Sequence, residues 1–405
     1  MNDKLKGLVT KWEEILNEGS EIKRKKVKAA TALMLENQDS YFNESSYSSG
    51  SFGSTTGATS GYFKQIAIPM VRRTFPELIA HDVVGVQPLT GPVGLAFALR
   101  YKASGTYAGV TDAELGYNYM DPSYSGAGSS TSGAGMATLT GEGLGSNVAP
   151  SATGGLGLGI GDGTPIKEVN MTVEKAQVEA KTRKLRSRWS VEVAQDLKAM
   201  HGLDLEEEML DVLAYEITAE IDREIVDQIN SVATSSGWNY SSSATGVGRW
   251  ETEIYRTLYN KIIRKANEIA VNTRRGAGNF VISSPYVCAA LECLSSFIIQ
   301  PVPNDINTAV TGVSKIGSLD GRLAVYRDTF TTHSEGDYCT VGYKGPSEYD
   351  AGIIYLPYVQ LMVAKAMFED SLQPSVGLMS RYAVHSHIFG AENYYQYIRV
   401  HNLPS

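Results

Sequence analysis

Between Lys102 and Lys167 the chain contains no lysine or arginine, and glycine, serine, alanine and threonine dominate. A stretch of that composition has too few large apolar side chains to build a core of its own. A structureless insert of such length inside a compact domain is rare unless it is functional or is supported from outside the domain. The packed fold must therefore come from the segments on either side. Within the insert, "TGGLGLGIGDG" (Thr153 to Gly163) places glycine at every second residue from Gly155 to Gly163. A dinucleotide fingerprint would need its third glycine at Ile160 or Asp162, and no GK[ST] follows for a phosphate loop, so the nucleotide reading fails on spacing. The period matches an extended strand. One face is bare backbone, where glycine tolerates the near approach of another chain or segment, and the other carries Leu156, Leu158 and Ile160. A flexible linker has the same composition, and these residues alone leave both readings open.

The flanks carry strong helix signals. Asp204 precedes Glu206, Glu207 and Glu208, and Met209, Leu213, Ile217, Ile221, Ile225 and Ile229 follow at spacing four. Cap, acidic first turn and apolar stripe together predict a helix from Asp204 to about Ser231, roughly 40 Å long at 1.5 Å per residue. Ser190 caps a shorter helix that ends at Gly202, and a Ser/Gly-rich break is expected over Thr234 to Gly248. Ile254, Leu258, Ile262, Ala266 and Ile269 mark another amphipathic helix, closed by Arg274, Arg275 and Gly276. "NFVIS" reads as a short buried strand, and Ser284-Pro285 opens the helix "YVCAALECLSS". Strands are expected in "RLAVYRDTF", "YCTVGYKG", "GIIYLPYVQLMVAKAMF" and "SRYAVHSHIF", and between Tyr62 and Tyr101. Long helices with segregated sheets make the class α+β.

Val169 to Trp189 is extended and increasingly basic, through Lys181, Arg183, Lys184, Arg186 and Arg188. It lacks the interleaved aromatics on which bases stack, so an exposed strand face paired with acidic neighbours is the expectation. The net charge of -8 likewise argues against binding dominated by phosphate contacts. Residues 1 to about 50 place Leu5, Leu8, Trp12, Ile15 and Leu16 on one helical face beside the basic "EIKRKKVKA" (Glu21 to Ala29). They form either a detachable segment that docks on a partner or a solvated amphipathic helix of the main domain. "SYSSGSFGSTTGATSG" (Ser46 to Gly61) then has linker composition.

Nothing catalytic stands out. No G-x-S-x-G, H-E-x-x-H or C-x-x-C occurs. His385 and His387 share a strand face with Arg381 and are expected to face solvent, without a third metal ligand nearby. Cys288 and Cys293 are expected as core or near-core thiols, and with Cys339 they are too few for a disulfide framework, which fits a reducing compartment. Asp222, Glu224 and Asp227 read as the polar face of the long helix. No catalytic residue, metal site or cofactor is expected, and no run reaches the length of a membrane span.

Taken in order, several segments resemble the major capsid proteins of T4-like tailed bacteriophages. They are "LENQ" (Leu35 to Gln38), "MVRRTFPELIAHDVVGVQPLTGPVGLAFALR" (Met70 to Arg100), "EAKTRKLRSRWSVEVAQDLKAMHGLD" (Glu179 to Asp204), "EITAEIDREIVDQIN" (Glu216 to Asn230), "RRGAGNFVISS" (Arg274 to Ser284) and "TVGYKGPSEYDAGIIYLPYV" (Thr340 to Val359). The resemblance implies an HK97-like fold. Its parts would be an N-terminal arm (1–68, with a propeptide over about 1–44), a peripheral domain (69–97, 181–245 and 366–405), an extended loop with a short Gly-rich insertion (98–180), a spine helix (204–231) and an axial domain (246–365). It further implies self-assembly into hexameric capsomers of a head that encloses double-stranded DNA without specific binding, with the mature protein in the virion capsid and assembly in the host bacterial cytoplasm. Implied partners are the vertex protein, the portal, a scaffold, a prohead protease, decoration proteins and a folding chaperone, with no membrane. A pentameric vertex protein and a non-viral compartment shell are the alternatives.

Under that resemblance the glycine alternation becomes the returning strand of the extended loop. Leu156, Gly157, Leu158, Gly159 and Ile160, together with Arg183, Arg186 and Arg188, become the inter-subunit contacts. Two departures stand out. Familiar members carry a larger insertion near the loop that folds as an extra domain, whereas here the stretch is short and Gly-rich. The prohead protease cuts after Glu in a motif like [LI]-x-E, yet "SFGSTTGATSG" has no glutamate. Phe42-Asn43-Glu44 is the approximate match, making Glu44 the cleavage candidate, while Leu16-Asn17-Glu18 lies too far upstream.

Overall fold

The computed structural model describes residues 3–17, 22, 24–47, 78–103, 106–107, 110–111, 168–239, 250–299, 313–331, 336–348, 350–367, 373–387 and 390–401. The chain divides into two compact units, one of residues 1–95, 177–269 and 276–405, the other of 96–176 and 270–275.

The helices are α1 (Asp3–Lys11), α2 (Glu13–Asn17), α3 (Lys25–Tyr47), α4 (Ala80–Val83), α5 (Val191–His201), α6 (Leu205–Val232), α7 (Glu251–Thr273) and α8 (Pro285–Glu292). The strands are β1 (Gly85–Val86), β2 (Val93–Ala103), β3 (Thr106–Tyr107), β4 (Val110–Thr111), β5 (Val169–Glu179), β6 (Lys181–Arg188), β7 (Thr234–Asn239), β8 (Phe280–Ser283), β9 (Phe297–Ile299), β10 (Ser314–Leu319), β11 (Leu323–Arg327), β12 (Asp337–Gly342), β13 (Ile353–Met367), β14 (Pro374–Ser386) and β15 (Tyr395–His401). The smaller unit holds most of the two-stranded ribbon β2–β5 and the hairpin β3–β4.

The larger unit is built on two sheets. A four-stranded sheet runs β1-β13-β14-β6, and a seven-stranded sheet runs β7-β15-β12-β8-β11-β10-β9. Helix α6 is the element between them. Its N-cap Asp204 accepts from Glu206 N at 3.0 Å, and its stripe Leu210, Leu213, Ile217, Ile221, Ile225 and Ile229 is buried in a core shared with residues of both sheets. The preceding helix α5 is capped by Ser190 and stops at Gly202, whose φ of 70 is the left-handed conformation that glycine adopts without strain. Helix α7 buries Ile254, Leu258, Ile262, Ala266 and Ile269, as its spacing requires, but the left-handed residue at its end is Arg274, not Gly276.

One expectation fails here, and one open alternative is decided. Thr234 to Asn239, placed in a Ser/Gly-rich break, form β7, which pairs in parallel with β15 from Thr234 opposite Gln396 to Asn239 opposite His401. Small polar side chains have weak strand propensity, and the neighbouring strand overrides it. The N-terminal helices are also no detached segment. Trp12, Leu16, Ala32, Met34 and Leu35 are buried in the core of the larger unit.

Candidate functional site

Strand β6 closes one edge of the four-stranded sheet, paired antiparallel with β14 so that Arg183 lies opposite Ser380, Arg186 opposite Gly377 and Arg188 opposite Ser375. Side chains of a strand alternate in direction. Arg183, Leu185 and Ser187 are partly buried, whereas Lys184, Arg186 and Arg188 are exposed. The three arginines expected to act together are thus split between two faces. Arg183 turns to the spine helix α6, where Nη1 meets Glu220 Oε2 at 2.7 Å and Nη2 meets Glu224 Oε2 at 2.6 Å. Its Nε donates to the Tyr382 hydroxyl, which donates in turn to Glu224. Burial works against the guanidinium charge, but the bonds to Glu224 and Tyr382 outweigh it, and the Arg183 pKa is raised. Burial, then the contact with Glu224, pushes the Tyr382 hydroxyl up as well. The basic strand does pair with acidic neighbours, and for Arg183 they belong to its own chain.

The same helix is tied to the seven-stranded sheet through Asp328, a residue that sequence reasoning missed. Its carboxylate is fully buried. Oδ2 accepts from Arg223 Nη1 at 2.9 Å, Thr331 Oγ1 at 2.7 Å and Tyr338 Oη at 2.5 Å, while Oδ1 accepts from Phe330 N at 3.0 Å. Asp222, one turn along from Ile225 on α6, accepts from Ile79 N at 3.2 Å, and burial pushes its carboxyl up to about 7 against the opposing effect of that bond. Asp227 pairs with Arg223 at 3.2 Å. The polar face of the long helix is a row of ties to other elements. Between the ties, Arg183, Glu216, Glu220, Arg223, Asp227 and Phe330 line an open charged groove.

The remaining candidates are more scattered. Leu156, Gly157, Leu158, Gly159 and Ile160 lie outside the described residues. Glu44 falls within α3, so a protease could cut there only after the end of that helix opens. His385 and His387, expected to face solvent, are both half-buried. Burial lowers the His385 pKa, and the His387 ring lies 6.1 Å from that of Tyr394. Cys288 and Cys339 are buried, with Cys288 pushed up to about 11 by burial, but Cys293 is exposed at the end of α8 and is not a core thiol. Among the described residues, no group of three or more His, Cys, Asp or Glu side chains could hold a metal ion. No helix among the described residues is long and apolar enough to cross a membrane.

What remains is a subunit whose charged groups brace helix against sheet, and comparison with known proteins decides what it is for. Residues 60–400 match the family model described as major capsid protein Gp23. The chain belongs to this family. It is 32% identical to the major capsid protein of Enterobacteria phage T4 over 81% of this chain and 76% of that protein. It is 34% identical to that of Salmonella phage ViI over 92% and 88%. The match to the capsid vertex protein of Enterobacteria phage T4 is weaker, 29% over 54% of this chain and 53% of that protein. Among solved structures, the capsid of Myoviridae phage XM1 is similar at a TM-score of 0.45 and 9% identity, over 80% of this chain and 92% of that one. Membership of the Gp23 family makes the chain a structural subunit of a tailed-phage head shell, and the α+β architecture is the one expected.

Proposed function

We propose that this subunit builds the shell as hexameric capsomers of a head enclosing double-stranded DNA, on an HK97-like fold. The arm (1–68), extended loop (98–180), peripheral domain (69–97, 181–245, 366–405) and axial domain (246–365) take the roles that the family resemblance assigns. The observation carrying this reading is the family match over residues 60–400, joined to a long spine helix that ties two sheets into one stiff body. A shell tile needs such a body, because contacts at its rim transmit load only through a rigid centre.

In this reading Leu156, Gly157, Leu158, Gly159 and Ile160 pack on the neighbouring subunit, and Arg186 and Arg188 on the exposed face of β6 reach acidic groups across the same boundary. Arg183 contributes by holding β6 to α6. The vertex protein completes the five-fold corners, while portal, scaffold, prohead protease, decoration proteins and a folding chaperone serve assembly in the host bacterial cytoplasm. The role is structural, not enzymatic. The pentameric vertex role is disfavoured because identity to a vertex protein covers 54% of the chain, against 81% and 92% for the two major capsid proteins.

Electron microscopy of the full chain co-expressed with scaffold and chaperone tests the assembly reading. Closed shells with six-fold capsomers are expected, and a chain that remains monomeric there overturns it. The intact mass of the protein from mature particles tests cleavage after Glu44. A chain starting at Ser45 is expected, and one starting at Met1 or Asn2 removes the proposal.

A further inference from the structure

Strand β13 breaks register with β14 twice, between Pro357 and Val359 and between Val359 and Met362. A bulge leaves main-chain groups without ladder partners, and here two of them, the Tyr358 and Leu361 carbonyls, accept from side-chain amides of α3. Asn37 Nδ2 donates to Leu89 O at 2.8 Å and to Tyr358 O at 3.2 Å, and Gln38 Nε2 donates to Leu361 O at 2.5 Å. Gln38 is only 1% exposed. Trp12, Leu16, Ala32, Met34 and Leu35, from the same N-terminal helices, are buried in the core of the larger unit. At the margin, Arg24 bonds Asp82 and Lys26 donates to the Pro346 carbonyl. An apolar centre, a few directed hydrogen bonds and a charged rim are the anatomy of an interface between separate partners.

The same segment carries the cleavage candidate Glu44, a few residues beyond Gln38. Cutting the backbone there severs none of these contacts. We propose that the helices at residues 3–17 and 24–40 are a ligand of their own subunit, a latch seated on the β13 bulge that stays bound after the chain is cut and leaves only when the sheet rearranges. Its place in head maturation rests on the cleavage reading above, while its retention is a property of the interface. A peptide held this way delays the consequence of proteolysis until a later conformational step.

The test supplies its own cut. A recognition sequence for a site-specific protease is inserted after Tyr47 of the full chain, the purified protein is cut, and size-exclusion with mass spectrometry follows the fragment. Co-elution of the 1–47 fragment with the remainder is expected, with release in denaturant. Immediate separation overturns the latch, whether the remainder stays soluble or precipitates. Replacing the amide donors, Asn37→Ala with Gln38→Ala, should shorten the retention half-time roughly ten- to a hundredfold, since two or three hydrogen bonds are lost at about a kcal/mol each. Unchanged retention removes the bulge contacts from the account. If the double variant does not fold before cutting, Asn37→Ala alone is read with the same two outcomes. Particle mass reads the natural cut and this experiment reads retention, so either proposal can fail without the other.

Discussion

At the scale of single residues, two carboxylates on or against the spine helix each make a forecast. Asp328 accepts four hydrogen bonds, one of them from Arg223. Asp328→Ala would remove the acceptor of the Tyr338 and Thr331 hydroxyls, leave Thr331 its bond from Arg223 Nη1 at 3.1 Å, and leave Arg223 with Asp227 as its remaining ion-pair partner. Because Arg223 is one-third exposed, the full cost of breaking a buried pair does not apply. A loss of about 2–3 kcal/mol in unfolding free energy, read from denaturant unfolding, is expected, and a loss below about 0.5 kcal/mol would show that the hub is ornamental. Asp222 has instead a carboxyl raised from 3.8 to about 7 by burial. Between those values the folded chain holds a proton that the unfolded chain has released, so this group's contribution, complete below 3.8, is lost as pH rises through 7. Asp222→Asn should therefore gain on the parent by about 2–3 kcal/mol in going from pH 5 to pH 8. Melting curves at the two pH values check it, and an unchanged difference refutes the shift. From sequence Asp222 reads only as part of the polar face of the long helix, and Asp328 is not picked out at all. Asp328 sits in "RLAVYRDTF" looking like an ordinary turn acid, because its partner Arg223 lies 105 positions away.

At the scale of elements, legibility followed locality. Helices α5, α6 and α7 were readable because their signals are local: cap and glycine stop for α5, cap and apolar stripe for α6, and apolar stripe for α7. Ser190, Asp204 and the spacing-four apolar rows each report a local energy. Strand β7 was not readable, since "TSSGWN" carries no alternating apolar face and becomes a strand only because β15 presents a free edge beside it. The split of the β6 arginines is intermediate. Their alternation is fixed by strand period, but which face meets α6 depends on pairing with β14. That geometry sets the expected size of the clamp. Arg183, Glu220 and Glu224 are each more than a third exposed, so Arg183→Ala should cost only about 0.5–1 kcal/mol and leave a folded subunit. Denaturant unfolding measures it, and a cost above about 2 kcal/mol would mean that β6 depends on α6 far more than exposure allows. The glycine alternation makes a complementary forecast. Val at Gly157 and Gly159 adds bulk where close approach is proposed, so a soluble subunit with impaired shell assembly is expected. Normal particles from that variant, seen by electron microscopy, would refute the close-contact role.

At the scale of the whole molecule, the order of the seven-stranded sheet, β7-β15-β12-β8-β11-β10-β9, sets β7 (Thr234–Asn239) beside β15 (Tyr395–His401), its first strand in the chain beside its last. Such pairings are long-range and leave no trace in any one segment, which is why class was legible and topology was not. Charge, by contrast, is a sum and can be read directly. The chain has 44 Asp and Glu against 36 Lys and Arg. Its most basic strand spends Arg183 on Glu220 and Glu224 of its own helix. A shell that encloses DNA must not grip it, because each phosphate neutralised releases counterions and ties packaged DNA to the wall. The subunit is therefore expected to show little affinity for duplex DNA at about 0.2 M salt, and its residual binding near 0.05 M should have a shallow salt slope, equivalent to about one or two phosphate contacts. Fluorescence anisotropy of a labelled duplex across that range measures the slope. A slope equivalent to about six contacts or more would assign the exposed face of β6, with Lys184, Arg186 and Arg188, to DNA and would remove it from the boundary between subunits.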